Sequence, residues 1–225
     1  MPLECDWAQA HNHSMAARES VAVLVAHPDD ETLWAGGTLL SEPSWAPFVW
    51  CACRAHDAER APKFHRVLER LGARGTMADL DDSPEQPPLA DEHVEKALLE
   101  CLPTRHFDRI LTHSPLGEYT RHKRHEDVAR AVLRLWLRGA LSAVELWLFA
   151  YDDQGGSQLP RALENADIRF ELSSEVWERK HRLITQDYGF AEASWEARAT
   201  PRSEGFFRVT TTERATAWLE QGRGR

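Results

Sequence analysis

The residues best suited to chemistry form a short acidic turn, His-Pro-Asp-Asp-Glu at positions 27–31, directly after an apolar run. A neutral imidazole and a carboxylate on one tight turn can both point at a single divalent ion, whereas an adjacent carboxylate must point elsewhere. Asp29 and Asp30 are therefore expected to have different roles. Acidic residues also cap helices, but capping explains one of the three and neither His27 nor the rigid Pro28.

A second candidate lies farther along the chain, where His122 and His125 are three residues apart in a polar segment. At this spacing both rings lie near one face at the start of a helix and can reach a common centre. By itself such a pair is most often a solvated surface. A metal held by His27 and Asp30 lacks a third protein ligand, however, and this segment can supply it.

Apolar runs that alternate with amphipathic stretches define the architecture that must position these motifs. We predict strands at 21–26, 48–53, 75–80, 107–112 and 144–149, the first apolar throughout as in a buried parallel strand. We predict helices at 33–40, 61–71, 91–102, 126–137 and 174–188. The alternation indicates the α/β class, with a three-layer, Rossmann-like domain and a mostly parallel sheet flanked by helices. Ligands bind such sheets at the carboxyl ends of the strands, where both motifs lie.

Length, charge and cysteine usage limit the function classes. A chain of 225 residues fits one domain, residues 1–225. Its four cysteines lack a C-x-x-C pair and nothing at the start resembles a signal peptide, so we expect a reducing, cytoplasmic setting. The net charge of -9 argues against nucleic acid, and a mean hydropathy of -0.52 argues against a membrane span. We expect the chain to be loosely held before about residue 19 and after about residue 214.

The motifs together resemble a known family. Ala-His-Pro-Asp-Asp-Glu at 26–31 with Gly36-Gly37, then Gly-Glu-Tyr at 117–119 and His-x-x-His at 122–125, is similar to the LmbE/PIG-L family of zinc-dependent N-acetylglucosaminyl deacetylases. The likeness extends over most of the chain, from about residue 20 to about residue 188. It includes an Asp-Ser pair at 82–83.

The resemblance implies a role for each motif residue. The implied zinc ligands are His27, Asp30 and His125, the implied general base is Asp29, and His122 is implied to lie beside the reacting carbonyl. Substrate-binding candidates are Arg60, Asp82 and Tyr119, and for Arg60 and Asp82 a surface ion pair or a turn is an equal alternative. The implied cofactor is one divalent ion, Zn2+.

The chain departs from the family pattern at three places. Arg-His-Lys-Arg-His at 121–125 stands where the family has Gly-His-Pro-Asp-His, with one extra residue after Tyr119. Cys-Arg-Ala at 53–55 replaces the usual Thr-x-Gly, and Lys63 follows Arg60 where the family often has Glu. Substrate recognition is expected to differ accordingly.

The implied reaction is removal of an N-acetyl group from an N-acetylglucosamine-type sugar or glycoconjugate. Zinc would activate a water molecule, Asp29 would take its proton, and zinc with a protonated His122 would stabilise the oxyanion. An acidic neighbour such as Glu126 or Asp127 could orient an imidazole. Trp34 could stack on a sugar, although core packing is the stronger expectation for this residue.

Two other functions remain open at this point. One is a zinc-dependent hydratase or lyase that acts on a small carboxylate substrate, and the other is a non-catalytic sugar-binding or scaffold protein. The intact set of His27, Asp29, Asp30, His122 and His125 argues against the second. A homo-oligomer is compatible with the sequence.

Overall fold

The main sheet has seven strands, of which five are parallel and two, at one edge, are antiparallel. The computed structural model describes residues 18–83, 89–119 and 122–223. The strands of this sheet and of a separate two-stranded ribbon are β1 (Glu19–Val25), β2 (Trp45–Cys51), β3 (Arg74–Met77), β4 (His106–Thr112), β5 (Ser142–Phe149), β6 (Tyr151–Asp152), β7 (Arg161–Ala162), β8 (Ile168–Glu171) and β9 (Ser203–Val209). The main sheet has the order β3-β2-β1-β4-β5-β9-β8, and β6 pairs with β7.

Strand β1 lies in the middle of the parallel part, paired with β2 and β4. Its residues from Val21 to Val25 are fully buried, so both of its faces must be covered. The direction of the sheet reverses at its far edge, because β9 is antiparallel to β5 and β8 is antiparallel to β9. The carboxyl ends of β1 to β4 therefore share one edge.

Helices cover both faces of the sheet. They are α1 (Asp30–Ser41), α2 (Arg60–Leu71), α3 (Asp91–Cys101), α4 (Lys123–Leu137), α5 (Ser174–Arg182), α6 (Trp195–Ala199) and α7 (Thr212–Arg223), with a π-helical turn (Leu183–Asp187) after α5. Helices α1 and α2 and the π-helical turn pack on the face of Val21 and Val23, whereas α3, α4 and α7 pack on the face of Ala22 and Leu24. The predicted three-layer α/β class is confirmed. None of the helices in the described ranges has the length and apolar character needed to cross a membrane.

The predicted elements are all present, and apart from the end of the last predicted helix their ends differ by at most three residues. The predicted helix 174–188 is correct up to residue 182, after which it continues as the π-helical turn. The expectation of a loose chain after about residue 214 is wrong, because α7 packs Ala215 and Leu219 into the core. The expectation for the start of the chain lies mostly outside the described residues. Strands β6 to β9 and helices α6 and α7 were not predicted.

A buried carboxylate connects the antiparallel edge of the sheet to α1. Glu204 on β9 accepts hydrogen bonds from the backbone N–H groups of Gly37 and Thr38, each at 2.7 Å, and from Lys180 Nζ at 2.6 Å. Both charged side chains are fully buried, so each depends on the other and on these hydrogen bonds. A Cβ at position 37 would lie 2.4 to 2.5 Å from the methyl carbons of Leu172 and 3.0 Å from Glu204 Oε1, so a larger residue here would displace Leu172 and crowd this carboxylate.

Candidate active site

A cleft of about 240 Å³ opens at the carboxyl ends of the parallel strands. We call it the histidine cleft. Its lining contains His27, Pro28, Asp29, Asp30, Leu33, Arg54, Arg60, Asp82, Tyr119, His122, Trp195 and Glu196. A larger cavity, of about 680 Å³, is lined by other residues and contains none of the residues of the two sequence motifs, 27–31 and 122–125. The chemistry of the side chains, and not the size of the cavity, identifies the histidine cleft as the candidate active site.

Three ligand atoms converge at the base of the histidine cleft. His27 Nδ1 lies 3.2 Å from His125 Nε2, and Asp30 Oδ2 lies 3.3 Å from each of these nitrogens. A tetrahedral zinc site with bonds of about 2.0 Å has ligand atoms roughly 3.3 Å apart. The triangle therefore has the dimensions that such an ion requires, and these are the three residues that the family resemblance implies as ligands.

Outer carboxylates fix the orientation of both imidazoles. His27 Nε2 is 3.0 Å from Asp82 Oδ1, and His125 Nδ1 is 2.8 Å from Glu118 Oε2. A proton on each of these outer nitrogens leaves a lone pair on His27 Nδ1 and His125 Nε2. With Asp30 Oδ2 they form three facing acceptors, and a cation between them would relieve their mutual repulsion.

Asp30 is held in its ionised form. Its Oδ1 accepts a hydrogen bond from Trp34 Nε1 at 3.0 Å, and its Oδ2 accepts one from the backbone N–H of His27 at 2.9 Å. Burial alone would raise the pKa of Asp30, but the His125 and His113 imidazoles outweigh burial and hold this pKa well below its usual range. Trp34 is fully buried and therefore packs in the core, as the stronger expectation had it.

Asp29 faces the cleft from a backbone conformation that few side chains adopt. Its φ is 123°, and its N–H donates to Glu31 Oε2 at 3.1 Å. The other oxygen of Glu31 accepts from Thr32 Oγ1 at 2.6 Å and from the Tyr188 hydroxyl at 2.7 Å. Burial and then the charge of Asp30 raise the pKa of Asp29 well above its usual range, while Arg60 Nη1, 3.3 Å from Asp29 Oδ2, opposes this.

His122 lies beside the ligand triangle. Its ring centroid is 4.6 Å from those of both His27 and His125, and its Nδ1 is buried without a hydrogen-bond partner among the described residues. Burial and then the two neighbouring imidazoles lower the pKa of His122 to about 4. A neutral ring is therefore favoured near pH 7, in contrast to the protonated form expected from the sequence. Nitrogens of His27, His122 and His125 lie within 4.8 Å of one another, so His122 is itself a candidate ligand.

His113 belongs to this site although the sequence reasoning gave it no role. Its Nε2 lies 2.9 Å from the backbone N of Ala26, and its Nδ1 lies 3.0 Å from Glu118 Oε1. Glu118 thus holds two imidazoles at once. The carboxylate that orients His125 is Glu118, whereas Asp127 pairs with Arg124 and Arg130 on α4. The position of His113 directly after β4 was the available signal.

The three predicted substrate-binding residues differ in what they contact. Arg60 lies over the Phe190 ring, 4.7 Å from its centroid, and next to Asp29. Asp82 is occupied on both oxygens, by His27 and by Arg54 Nη2 at 2.8 Å. All of these residues except Phe190 line the histidine cleft.

Aromatic rings form the rim of the cleft. Tyr119 stands between the rings of Trp34 and Trp195, at centroid distances of 5.3 and 5.0 Å. Trp195 is 37% exposed and therefore presents an aromatic surface to a ligand, a role that the sequence analysis suggested for Trp34. Thr120 and Arg121 of the second motif lie outside the described residues.

The sequence and the structure were compared with known proteins, and the structural comparison finds proteins of the same fold. No family model matches the sequence. An uncharacterized protein of Acanthamoeba polyphaga mimivirus is 19% identical over 184 residues, which cover 76% of each chain. The solved N,N'-diacetylchitobiose deacetylase of Pyrococcus horikoshii gives a TM-score of 0.65 at 16% identity, over 85% of this chain and 84% of its own.

Two further solved structures extend the comparison. GalB, the 4-carboxy-2-hydroxymuconate hydratase of Pseudomonas putida, gives a TM-score of 0.60 at 16% identity, over 86% of this chain and 97% of its own. Dbv21, the deacetylase of the pseudoaglycone of the antimicrobial reagent A40926, gives a TM-score of 0.58 at 14% identity, over 86% of this chain and 98% of its own. The resemblance read from the motifs is thus confirmed for the fold: this chain has the fold of the LmbE/PIG-L-type deacetylases, which the hydratase shares.

Proposed function

We propose that this chain is a metal-dependent N-deacetylase that hydrolyses the acetamide of an N-acetylglucosamine-type sugar or glycoconjugate. The observation that carries the proposal is the triangle of His27 Nδ1, Asp30 Oδ2 and His125 Nε2, with sides of 3.2 to 3.3 Å, at the base of the histidine cleft. The fold shared with two deacetylases supports the reaction class.

The proposed ligands are His27, Asp30 and His125, and the proposed ion is Zn2+. Two nitrogens and one oxygen suit zinc, and three protein ligands are typical of a catalytic rather than a structural zinc site. When bound, the ion would polarise the amide carbonyl and lower the pKa of a water molecule. The outer contacts of Asp82 and Glu118 support this assignment, since ligand imidazoles commonly donate to a carboxylate.

Asp29 is the proposed general base. It takes a proton from the attacking water and then delivers a proton to the leaving nitrogen, so that the amine departs neutral. Glu31 holds its backbone in place through the hydrogen bond at 3.1 Å, and Arg60 at 3.3 Å keeps the carboxylate directed into the cleft. Asp29 and Asp30 thus divide the work of base and ligand, as the motif indicated.

His122 is proposed to contact the carbonyl oxygen as charge builds on it. Because the pKa of His122 is lowered to about 4, we propose a hydrogen bond from a neutral ring and not from an imidazolium. Tyr119, Arg60 and Trp195 are proposed to contact the sugar, with Trp195 stacking on one face of the ring. Asp82 is proposed to act mainly through His27, because both of its oxygens are already engaged.

The test separates metal binding from chemistry. Asp29→Asn should bind zinc with wild-type affinity yet release acetate from N-acetylglucosamine derivatives at least about 100-fold more slowly, because general base catalysis typically contributes this much. His27→Ala, Asp30→Ala and His125→Ala should each lose the metal. Full activity of Asp29→Asn would contradict the proposed mechanism.

A second candidate is a metal-dependent hydratase or lyase that acts on a small carboxylate substrate. Two guanidinium groups, of Arg54 and Arg60, line the histidine cleft, and such groups bind carboxylates. The hydratase among the solved structures of this fold points the same way. Both arginines are already paired with aspartates, which favours the deacetylase. Turnover of unsaturated dicarboxylates without any acetate release from N-acetyl sugars would reverse this preference.

A further inference from the structure

The larger cavity, of about 680 Å³, collects arginine side chains from several parts of the chain. We call it the arginine cavity. Its walls come from the β6–β7 connection, β8, α5 and the segment after α6. Helix α6 separates it from the histidine cleft, because Trp195 and Glu196 line the cleft whereas Arg198 and Ala199 line the cavity.

Four arginines and two acidic residues line the arginine cavity. The cations are those of Arg161, Arg169, Arg198 and Arg202, and the acids are Asp152 and Glu164. This local excess of positive charge stands out in a chain with a net charge of -9. Cations that converge on a concave surface repel one another and focus a field that attracts anions.

The individual arginines differ in how they are held. Arg169 pairs with Glu171 at 2.8 Å, and the Arg202 guanidinium lies 3.6 Å above the Trp177 ring. Trp177 is in turn fixed by a hydrogen bond from its Nε1 to the backbone oxygen of Thr200 at 3.2 Å. Stacking holds Arg202 in one orientation while leaving its N–H groups available to a ligand.

Arg161 and Arg198 have no ion pair among the described residues, and both are exposed. The cavity therefore has four arginines against two lining carboxylates, and within the described part of the chain neither of these two arginines forms an ion pair that fixes its guanidinium group. A volume of about 680 Å³ is within the range of small-molecule sites. Phosphate oxygens match the fork of N–H groups on a guanidinium and bring more than one negative charge, which suits several arginines better than a single carboxylate does.

We propose that the arginine cavity is a binding site for the phosphate group of a phosphorylated small molecule. The ligand is either a phosphorylated form of the substrate or a separate effector, and both present the same chemistry to the arginines. The binding step does not depend on the proposed deacetylase activity, so the two proposals can fail separately.

The test is calorimetric titration of the full, zinc-loaded chain with pyrophosphate at constant ionic strength. We expect saturable binding that is about 10-fold weaker in Arg161→Ala and in Arg198→Ala, the lower end for loss of a charge-assisted hydrogen bond. Arg74→Ala, an exposed arginine on the edge strand β3, is the matched control and should bind as the wild type does. Equal weakening in Arg74→Ala, or no saturable binding, would overturn the proposal.

Pyrophosphate also binds zinc, so the titration is repeated with Asp30→Ala. Unchanged affinity assigns the anion to the arginine cavity, whereas lost affinity assigns it to the histidine cleft and refutes the proposal. Kinetics then distinguish the two sources of phosphate. If the phosphate belongs to the substrate, the KM for the phosphorylated substrate should rise in Arg198→Ala while kcat stays unchanged. If it belongs to an effector, added pyrophosphate should change the KM for the unphosphorylated sugar.

Discussion

Glu118 is the residue whose replacement tests the metal centre most directly. It is fully buried, and its carboxylate accepts from His113 Nδ1 at 3.0 Å, Ser114 N at 2.8 Å and His125 Nδ1 at 2.8 Å. In Glu118→Gln the amide oxygen can serve His113 and Ser114, which turns the amide NH2 group toward His125. His125 must then move its proton to Nε2 or leave a buried hydrogen bond unmade.

Either response weakens metal binding. A proton on Nε2 of His125 removes one of the three lone pairs of the ligand triangle, and an unmade buried hydrogen bond costs about 1–3 kcal/mol. We therefore expect zinc to bind about 10- to 100-fold more weakly, which is the usual range for loss of an outer carboxylate. The assay is competition with a chromophoric chelator at pH 7, with the metal-free Tm measured in parallel.

A matched control is available at a distance from the site. Glu145 is a buried carboxylate on β5 that pairs with Arg109 and Arg208, so Glu145→Gln should lower the Tm without changing zinc affinity. If Glu118→Gln binds zinc as tightly as the wild type, then Glu118 does not set the tautomer of His125. The assignment of His125 as a ligand through Nε2 would then have to be abandoned.

Three further outcomes are expected. Asp82→Asn should weaken zinc binding about 10-fold, because His27 Nε2 loses a charged acceptor at 3.0 Å; unchanged affinity in chelator competition would exclude this role. In the metal-free protein, burial and the neighbouring imidazoles lower the pKa of His122 to about 4, so the folded state keeps this ring neutral while the unfolded chain takes up a proton; the free energy of unfolding therefore decreases as pH falls from about 6.5 to about 4. His122→Asn should reduce this pH dependence in urea unfolding, and wild-type and variant curves that run parallel would contradict the prediction. Tyr188→Phe removes the hydroxyl that donates to Glu31 at 2.7 Å and should lower kcat about 3- to 10-fold with KM unchanged; a rise in KM alone would show that it serves binding instead.

The sheet and the ligand triangle were within reach of sequence reasoning for physical reasons. A run that is apolar at every position, such as Val21 to Val25, can be satisfied only by burial on both faces, which indicates a central parallel strand. Once β1 and β4 are neighbours, the loops that follow them must meet at one edge of the sheet. His27 and His125 are therefore brought together by topology, before any side-chain detail is considered.

Other parts of the site depend on contacts that spacing does not encode. Glu118 could be seen in the motif, but which imidazole it would contact depends on the turn between β4 and α4. Arg54, with a φ of 70°, reaches Asp82 only because β2 and β3 end side by side. Trp195 lies on α6, a helix of five residues after the π-helical turn. A helix this short has too few apolar residues to show a helical hydrophobic pattern in the sequence. The arginine cavity could not be predicted either, because its arginines are scattered between positions 161 and 202 and only the fold brings them together.

The Glu204 junction has a practical consequence for truncated forms of the protein. Strand β9 lies beside the parallel part of the sheet and contributes no residue to either motif. Its Glu204 nevertheless accepts hydrogen bonds from the middle of α1, the helix that begins at Asp30. Removing the chain beyond α6 would leave the buried Lys180 ammonium without Glu204, the one carboxylate with which it pairs among the described residues. Shortened versions should therefore fail by misplacing Asp30, even though every residue of both motifs would still be present.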